Sequence, residues 1–192
     1  FIVLLLSASF MITTIDAGYR GVKYSLVSGT DLETTYGEGL NLHWPWISVE
    51  DYDLRVAERL EEVEALSSNG LSISMDASIR YRPDGAVLPQ LHTTYGEGYY
   101  EKLVKPELRS AVREIVGQYT PEELYSSRRT ELQQQIMERV RTGVEEEYVS
   151  IEAVLIRNVQ LPTQIQQAIE NKLTEEQEVE RYYFCLLYTS PS

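Results

Sequence analysis

Leu71-Ser72-Ile73-Ser74-Met75-Asp76-Ala77-Ser78-Ile79-Arg80-Tyr81-Arg82 alternates apolar and polar side chains without a slip. Successive side chains of a strand point to opposite faces, so Leu71, Ile73, Met75, Ala77, Ile79 and Tyr81 share one face and the serines, Asp76 and the arginines take the other. That predicts a half-buried strand of an antiparallel sheet. Just before it, Ser67-Ser68-Asn69-Gly70 predicts a hairpin turn, because Asn-Gly tolerates the positive φ that tight hairpins need. The preceding partner is the alternation of Tyr52, Leu54 and Val56 with Asp53 and Arg55, loosening through Leu60 and Val63. Pro83-Asp84-Gly85 ends the strand, and the hydrophobic period changes there.

Toward the C-terminus the spacing becomes helical. From Tyr99 to Tyr119, Leu108, Ala111, Val112, Ile115, Val116 and Tyr119 form one stripe, with Lys102, Arg109, Arg113 and Glu114 mostly off it. Thr120, Pro121 and Glu123 supply an N-cap, a first-turn proline and the partner of a capping box. A second long helix is predicted to follow, with Leu132, Ile136, Val140 and Val144 as its buried stripe. Ser150 to Leu161 returns to alternation, Ile151, Ala153 and Leu155 opposite Val154 and Ile156, which predicts a strand covered on both faces. Pro162 and Thr163 open a last helix, where Ile165, Ala168, Ile169, Lys172, Leu173, Glu176 and Val179 trace a narrow seam amid Gln and Glu. The seam resembles the start of a coiled coil and makes Ile165, Ile169, Leu173 and Val179 candidates for self-association. The competing reading is a terminal helix packed on its own domain. After Tyr183 the composition changes abruptly, and residues 184–192 read as a non-native tail.

Toward the N-terminus, Tyr19 to Val27 predicts a strand ending at Ser28-Gly29-Thr30, followed by a loop-rich stretch punctuated by Gly37, Gly39 and Pro45. Leu42, Trp44, Trp46 and Ile47 are expected to close one end of a small sheet, with Trp44 and Trp46 serving either core packing or insertion at a membrane interface, a boundary that suits indole. Thr-Thr-Tyr-Gly-Glu-Gly occurs at 34–39 and again at 93–98 without repeating flanks, and reads as two unrelated turns. Phe1 to Ile15 is an almost unbroken apolar run that stops at Asp16. As a helix it would rise about 22 Å against a hydrocarbon core of about 30 Å, and because the chain starts at Phe1 residues 1–16 read as a truncated membrane anchor. A cleaved signal peptide with Ser7-Ala8-Ser9 at its cleavage site is the rival, and a core strand is disfavoured by length and lack of alternation.

The 30 acidic and 17 basic residues give a net charge of −13, which opposes nucleic-acid binding and docking through a polybasic surface. The single cysteine, Cys185, provides neither a disulfide framework nor a thiolate metal site. His43 and His92 lie in no ligand spacing, no Gly-x-Ser-x-Gly elbow or phosphate loop is present, and Gly37-Glu38-Gly39 lacks the third glycine of a dinucleotide site. Glu122-Glu123 and Glu145 to Glu147 read as solvated helix faces. The chain is therefore expected to be no enzyme and to hold no cofactor or metal. The alternative class is a binding module with Trp44, Trp46, Tyr52 and Tyr81 lining a pocket.

Several short motifs recur in a specific order: Ala17-Gly18-Tyr19-Arg20-Gly21-Val22, Gly37-Glu38-Gly39-Leu40 leading to Trp44-Pro45-Trp46, and Asp53-Leu54-Arg55. Tyr81-Arg82-Pro83, Pro106 with Leu108-Arg109-Ser110-Ala111, and Tyr119-Thr120-Pro121-Glu122-Glu123-Leu124-Tyr125 with Arg128-Arg129 come next along the chain. Together, from Ala17 to about Arg181, they resemble the prohibitin branch of the SPFH, or band 7, family. The resemblance implies an α+β domain over residues 17–161, a small antiparallel-rich sheet with packed helices, placed after a single transmembrane segment and leading into a coiled-coil helix over 162–183. It implies a non-enzymatic scaffold that self-associates into a large ring or cage on a lipid bilayer, of bacterial or mitochondrial inner-membrane type. A membrane-bound AAA metalloprotease is the partner it suggests, with local organisation of lipids and proteins as the role. A lipid or small-molecule binding module of stomatin or flotillin type, and an exported soluble protein, are the alternatives.

Overall fold

The structure is a computed structural model that describes residues 12–26, 29–125, 128–144 and 148–189, the side chains of Tyr125, Leu173 and residues 184–189 excepted. Eight strands form three antiparallel sheets: β1 (Ile12–Ile15) with β4 (Gly39–Leu42); β3 (Gly29–Tyr36), β2 (Tyr19–Ser25) and β5 (Ile47–Asp53) in that order; and β6 (Ala57–Leu66), β7 (Ser72–Pro83) and β8 (Val149–Gln160) in that order. The helices are α1 (Leu88–Tyr95), a π-helical turn at Tyr100–Val104 running into α2 (Lys105–Val116), α3 (Pro121–Tyr125), α4 (Arg129–Gly143) and α5 (Thr163–Thr189). The α+β class holds, with three small sheets in place of one.

The alternating stretch is β7, with Ile73, Met75, Ala77, Ile79 and Tyr81 all buried. The Asn69-Gly70 turn joins it to β6 in full register from Leu66↔Ser72 to Ala57↔Tyr81, and Gly70 takes φ +77°. The run through Tyr52, Leu54 and Val56 is not one strand. It breaks at Leu54 to Val56, so β5 and β6 belong to different sheets. Ser78, on the polar face, is nevertheless buried, because it lies opposite Leu60 and donates its hydroxyl to Glu58.

In β8 the register against β7 shifts between Ala153↔Arg80 and Ile151↔Tyr81, leaving Glu152 as an extra residue. A bulge of this kind flips the parity of the strand beyond it, so Ile151, Val154 and Ile156 are all buried while Ala153 and Leu155 are half-buried. Guanidinium groups of α4 reach β8: Arg129 donates to the carbonyls of Ile156 and Arg157, and Arg141 to that of Ile151 at 2.9 and 3.2 Å. These bonds tie α4 to the backbone of β8.

α2 buries Leu108, Ala111, Val112, Ile115 and Val116, and α4 buries Leu132, Ile136 and Val140; both join the β7 face in one continuous core that also takes in Val22 and Tyr52. The capping box forms as expected: the Glu123 carboxylate accepts the Thr120 N–H at 3.0 Å, and the Glu123 N–H donates to the Thr120 hydroxyl at 3.4 Å. It opens the five-residue α3, however, and the predicted second stripe lies on the separate α4. α1 was not expected; it spans about two turns, started by Pro89.

The predicted anchor needs correction at its end. Residues 1–11 lie outside the described residues, but Ile12–Ile15 is extended and paired with Gly39–Leu42, so a helical span does not reach residue 16. Four consecutive β-branched residues explain this, since their stiff χ1 favours a pleated strand. Gly21 lets that strand seat: a Cβ there would lie 2.6 Å from Val49 and 2.7 Å from Ile15. Among the described residues no helix is long and apolar enough to cross a membrane. Val27, Ser28, Glu145 to Glu147 and residues 190–192 lie outside the described residues, and the helix of α5 continues through the compositional break at Tyr183 as far as Thr189.

Candidate functional site

The β1–β4 ribbon has two unlike faces. Ile12 stands opposite Leu42 and Thr14 opposite Leu40, on one side; Ile15 and Thr13 point to the other, where Ile15 is buried and the Thr13 hydroxyl meets His43 Nε2 at 2.7 Å. The first side is uncovered. Ile12, Leu40 and Leu42 are 51%, 74% and 73% exposed, and the Trp44-Pro45-Trp46 turn follows two residues after β4 ends. There Trp44 and Trp46 are 59% and 48% exposed and stack on each other, ring centres 5.2 Å apart and planes 8° from parallel. Leu26, also exposed, donates its N–H to the Trp46 carbonyl. Exposed apolar side chains thus stand on the ribbon and on the turn that directly follows it, next in sequence to the apolar run 1–11.

Core packing of Trp44 and Trp46, and the closing of a sheet end by Leu42, are therefore corrected: among the described residues the ribbon has two strands, and no element covers this face. The proposed aromatic pocket does not form either. Tyr52 and Tyr81 are buried in the core on either side of Tyr99, at 6.3 and 6.1 Å, apart from the stacked indoles. Burial pushes the Tyr52 phenol up to about 12, and its hydroxyl shares a 2.6 Å hydrogen bond with His92 Nδ1, so His92 acts as a strut between β5 and α1. Beside it the Glu50 carboxyl is raised, first by its hydrogen bond with Glu97 and then by burial.

The seam of α5 divides. Ile165 is half-buried and Ile169, at 6% exposed, is covered within a single copy, so Ile169 is corrected from an intermolecular to an intramolecular contact. The Leu173 side chain lies outside the described residues, and Val179 is 67% exposed. Near the end of these covered turns Lys172 pairs with Glu122 of α3 at 3.0 Å.

A cleft of about 470 Å³ opens between Leu54, the Arg82–Gly85 turn, Arg141 and the start of β8. Arg82 pairs across it with Glu152, and Arg20 donates to the Gly85 carbonyl at 2.9 Å. Among the described residues no three of His, Cys, Asp and Glu converge as metal ligands. Sequence reasoning missed Ile12 and Leu40 as parts of the apolar surface, although the Leu40-x-Leu42-x-Trp44 spacing carried the signal.

One charged cluster makes a pH prediction. Glu58 accepts from the Ser78 hydroxyl, Arg157 and Arg80 Nε, and these hydrogen bonds, Ser78's first, hold its carboxyl down at about 2 from an ordinary 4.5. A carboxylate whose folded value lies below its unfolded one stabilises above the unfolded value and loses that contribution as pH falls toward the folded value. Between pH 4.5 and 2 the thermal midpoint of Glu58→Gln is therefore expected to fall less steeply than that of the wild type. Parallel profiles would show that these contacts do not act on stability.

Comparison with known proteins adds three findings. A model described as SPFH domain / Band 7 family matches residues 13–182. Prohibitin-2 of Schizosaccharomyces pombe is 24% identical over 171 residues, covering 88% of this chain and 59% of the relative. A mitochondrial prohibitin-2 of Arabidopsis thaliana is 26% identical over 171 residues (88% and 59%), and prohibitin 1 of Gallus gallus 25% over 171 (88% and 62%). The chain thus spans about three fifths of the length of these curated relatives.

Proposed function

This chain belongs to the SPFH domain / Band 7 family, and on that premise we propose that it is a membrane-anchored, prohibitin-like scaffold. Its copies pack side by side into a ring or cage that organises a patch of bilayer and modulates membrane-protein quality control by AAA proteases. It makes and breaks no bond. The observation that carries the reading is the uncovered apolar face of Ile12, Leu40, Leu42, Trp44 and Trp46 beside the apolar run 1–11. A monomer in water gains nothing from leaving such a face bare, whereas a lipid interface covers it and accommodates the indoles.

The anchor in residues 1–11, single-pass insertion of inner-membrane type and the protease partnership are parts of the same proposal. The mitochondrial prohibitin-2 of Arabidopsis thaliana supports a mitochondrial setting. Association would come from burying apolar stripes between copies at about 25 cal/mol per Å², with Ile165, Leu173 and Val179 continuing the contact along α5.

Full-length protein extracted in mild detergent is expected to sediment as a large multiple of its own mass at micromolar concentration. A monomer under those conditions would overturn the reading.

A further inference from the structure

Copies that each carry a net charge of −13 repel one another, so any side-by-side contact between them needs a locally basic face. α2 provides one. Its acids and bases are sorted to opposite flanks: Glu107 and Glu114 turn toward α4, where Arg139 meets them at 4.0 and 2.7 Å, while Lys105, Arg109 and Arg113 line an open groove of about 640 Å³ on the other side. In that groove Glu61 takes Lys105 and Arg109, each at 3.3 Å, and Glu101 takes Lys105 at 2.9 Å. Arg113 donates only to the Glu64 carbonyl and meets no carboxylate among the described residues. The Arg109 Nε hydrogen is buried with no acceptor among the described residues.

We propose that this groove receives the acidic, solvent-exposed part of α5 from a second copy, Glu176 and Glu180 in particular. The inference rests on the assembly reading above and names its surface. Five glutamates stand against Lys172 and Arg181 between residues 170 and 181, and beyond Lys172 the helix is exposed on every described side chain. Glu176 and Glu180 are one turn apart, as are Arg109 and Arg113, so both pairs advance about 6 Å along their helices and two packed helices can set carboxylates against guanidinium groups in step. Arg113 gives only its Nε to the Glu64 carbonyl, so a carboxylate entering the groove can take its Nη groups. The two surfaces differ, so the contact is head-to-tail, the kind that closes into a ring.

Sedimentation of the full-length protein in mild detergent tests this. Glu176→Lys with Glu180→Lys is expected to raise the concentration for half-assembly at least tenfold, and Lys105→Glu with Arg109→Glu and Arg113→Glu to do the same. Combining the two sets is expected to restore assembly to within about threefold of wild type, since exchanged charges attract again. Circular dichroism checks that each variant folds; if the α2 set does not, the α5 pair, exposed on its helix, decides alone. An α5 pair variant that assembles like the wild type overturns the inference while leaving the assembly reading intact. A wild type that stays monomeric overturns both.

Discussion

Leu108→Ala is expected to lower the unfolding free energy by about 3 kcal/mol, within the 2–5 kcal/mol range seen when a fully buried leucine leaves a cavity. Leu108 has no solvent exposure and sits mid-stripe on α2, with Ala111 and Val112 one turn on, against the same core as Ile73, Ile79 and Tyr81 of β7. The sheet below is held on both flanks, by β6 and β8, so it cannot sink into the space left behind. Domains of this size have a total stability of about 5–15 kcal/mol, so one truncation removes a large fraction of it. Urea unfolding gives the measurement; a loss under about 1 kcal/mol would mean that α2 does not clamp the sheet as described.

The second large effect concerns the stacked indoles. Trp44 and Trp46 are the chain's only tryptophans, so tryptophan emission, excited beyond the absorption of the 14 tyrosines, reports on this turn. If the apolar face of the ribbon meets lipid, emission of the full-length protein in vesicles is expected to shift to the blue and to be quenched by lipids brominated near the headgroup. Roughly half of each ring is still exposed. Covering the remainder contributes about 2 kcal/mol per indole at about 25 cal/mol per Å². Trp44→Ser, which keeps Trp46 as reporter, is expected to shift the inserted-to-lifted ratio about thirtyfold toward the lifted state. Emission unchanged by vesicles would remove the ribbon from the membrane.

What the sequence made legible was local chemistry. β7, its Asn69-Gly70 turn and the Thr120 to Glu123 cap each depend on neighbours within a few residues, and each formed as the pattern required. Failure came where distant contacts decide. Thr34-Thr35-Tyr36 lies in strand β3 and Thr93-Thr94-Tyr95 in helix α1, though the same six residues continue through both sites. No propensity separates them; their tertiary surroundings do. Likewise the parity of β8 turns on a bulge at Glu152, invisible without the opposing register. At the site, the indoles stood out by type, but their exposure depended on β1 and β4 forming a ribbon of only two strands. The basic groove needed Glu61 and Arg139, far off in sequence, to sort the charges of α2.

The tie between Lys172 and Glu122 sets a mechanical consequence. Beyond Lys172 every described side chain of α5 is exposed, and among the described residues this pair is the ion pair that joins the helix to the domain. Both partners of the tie are more than half exposed, so its grip is weak and fades with ionic strength. Raising the salt concentration therefore loosens the hold of α3 on α5 while leaving the buried core untouched.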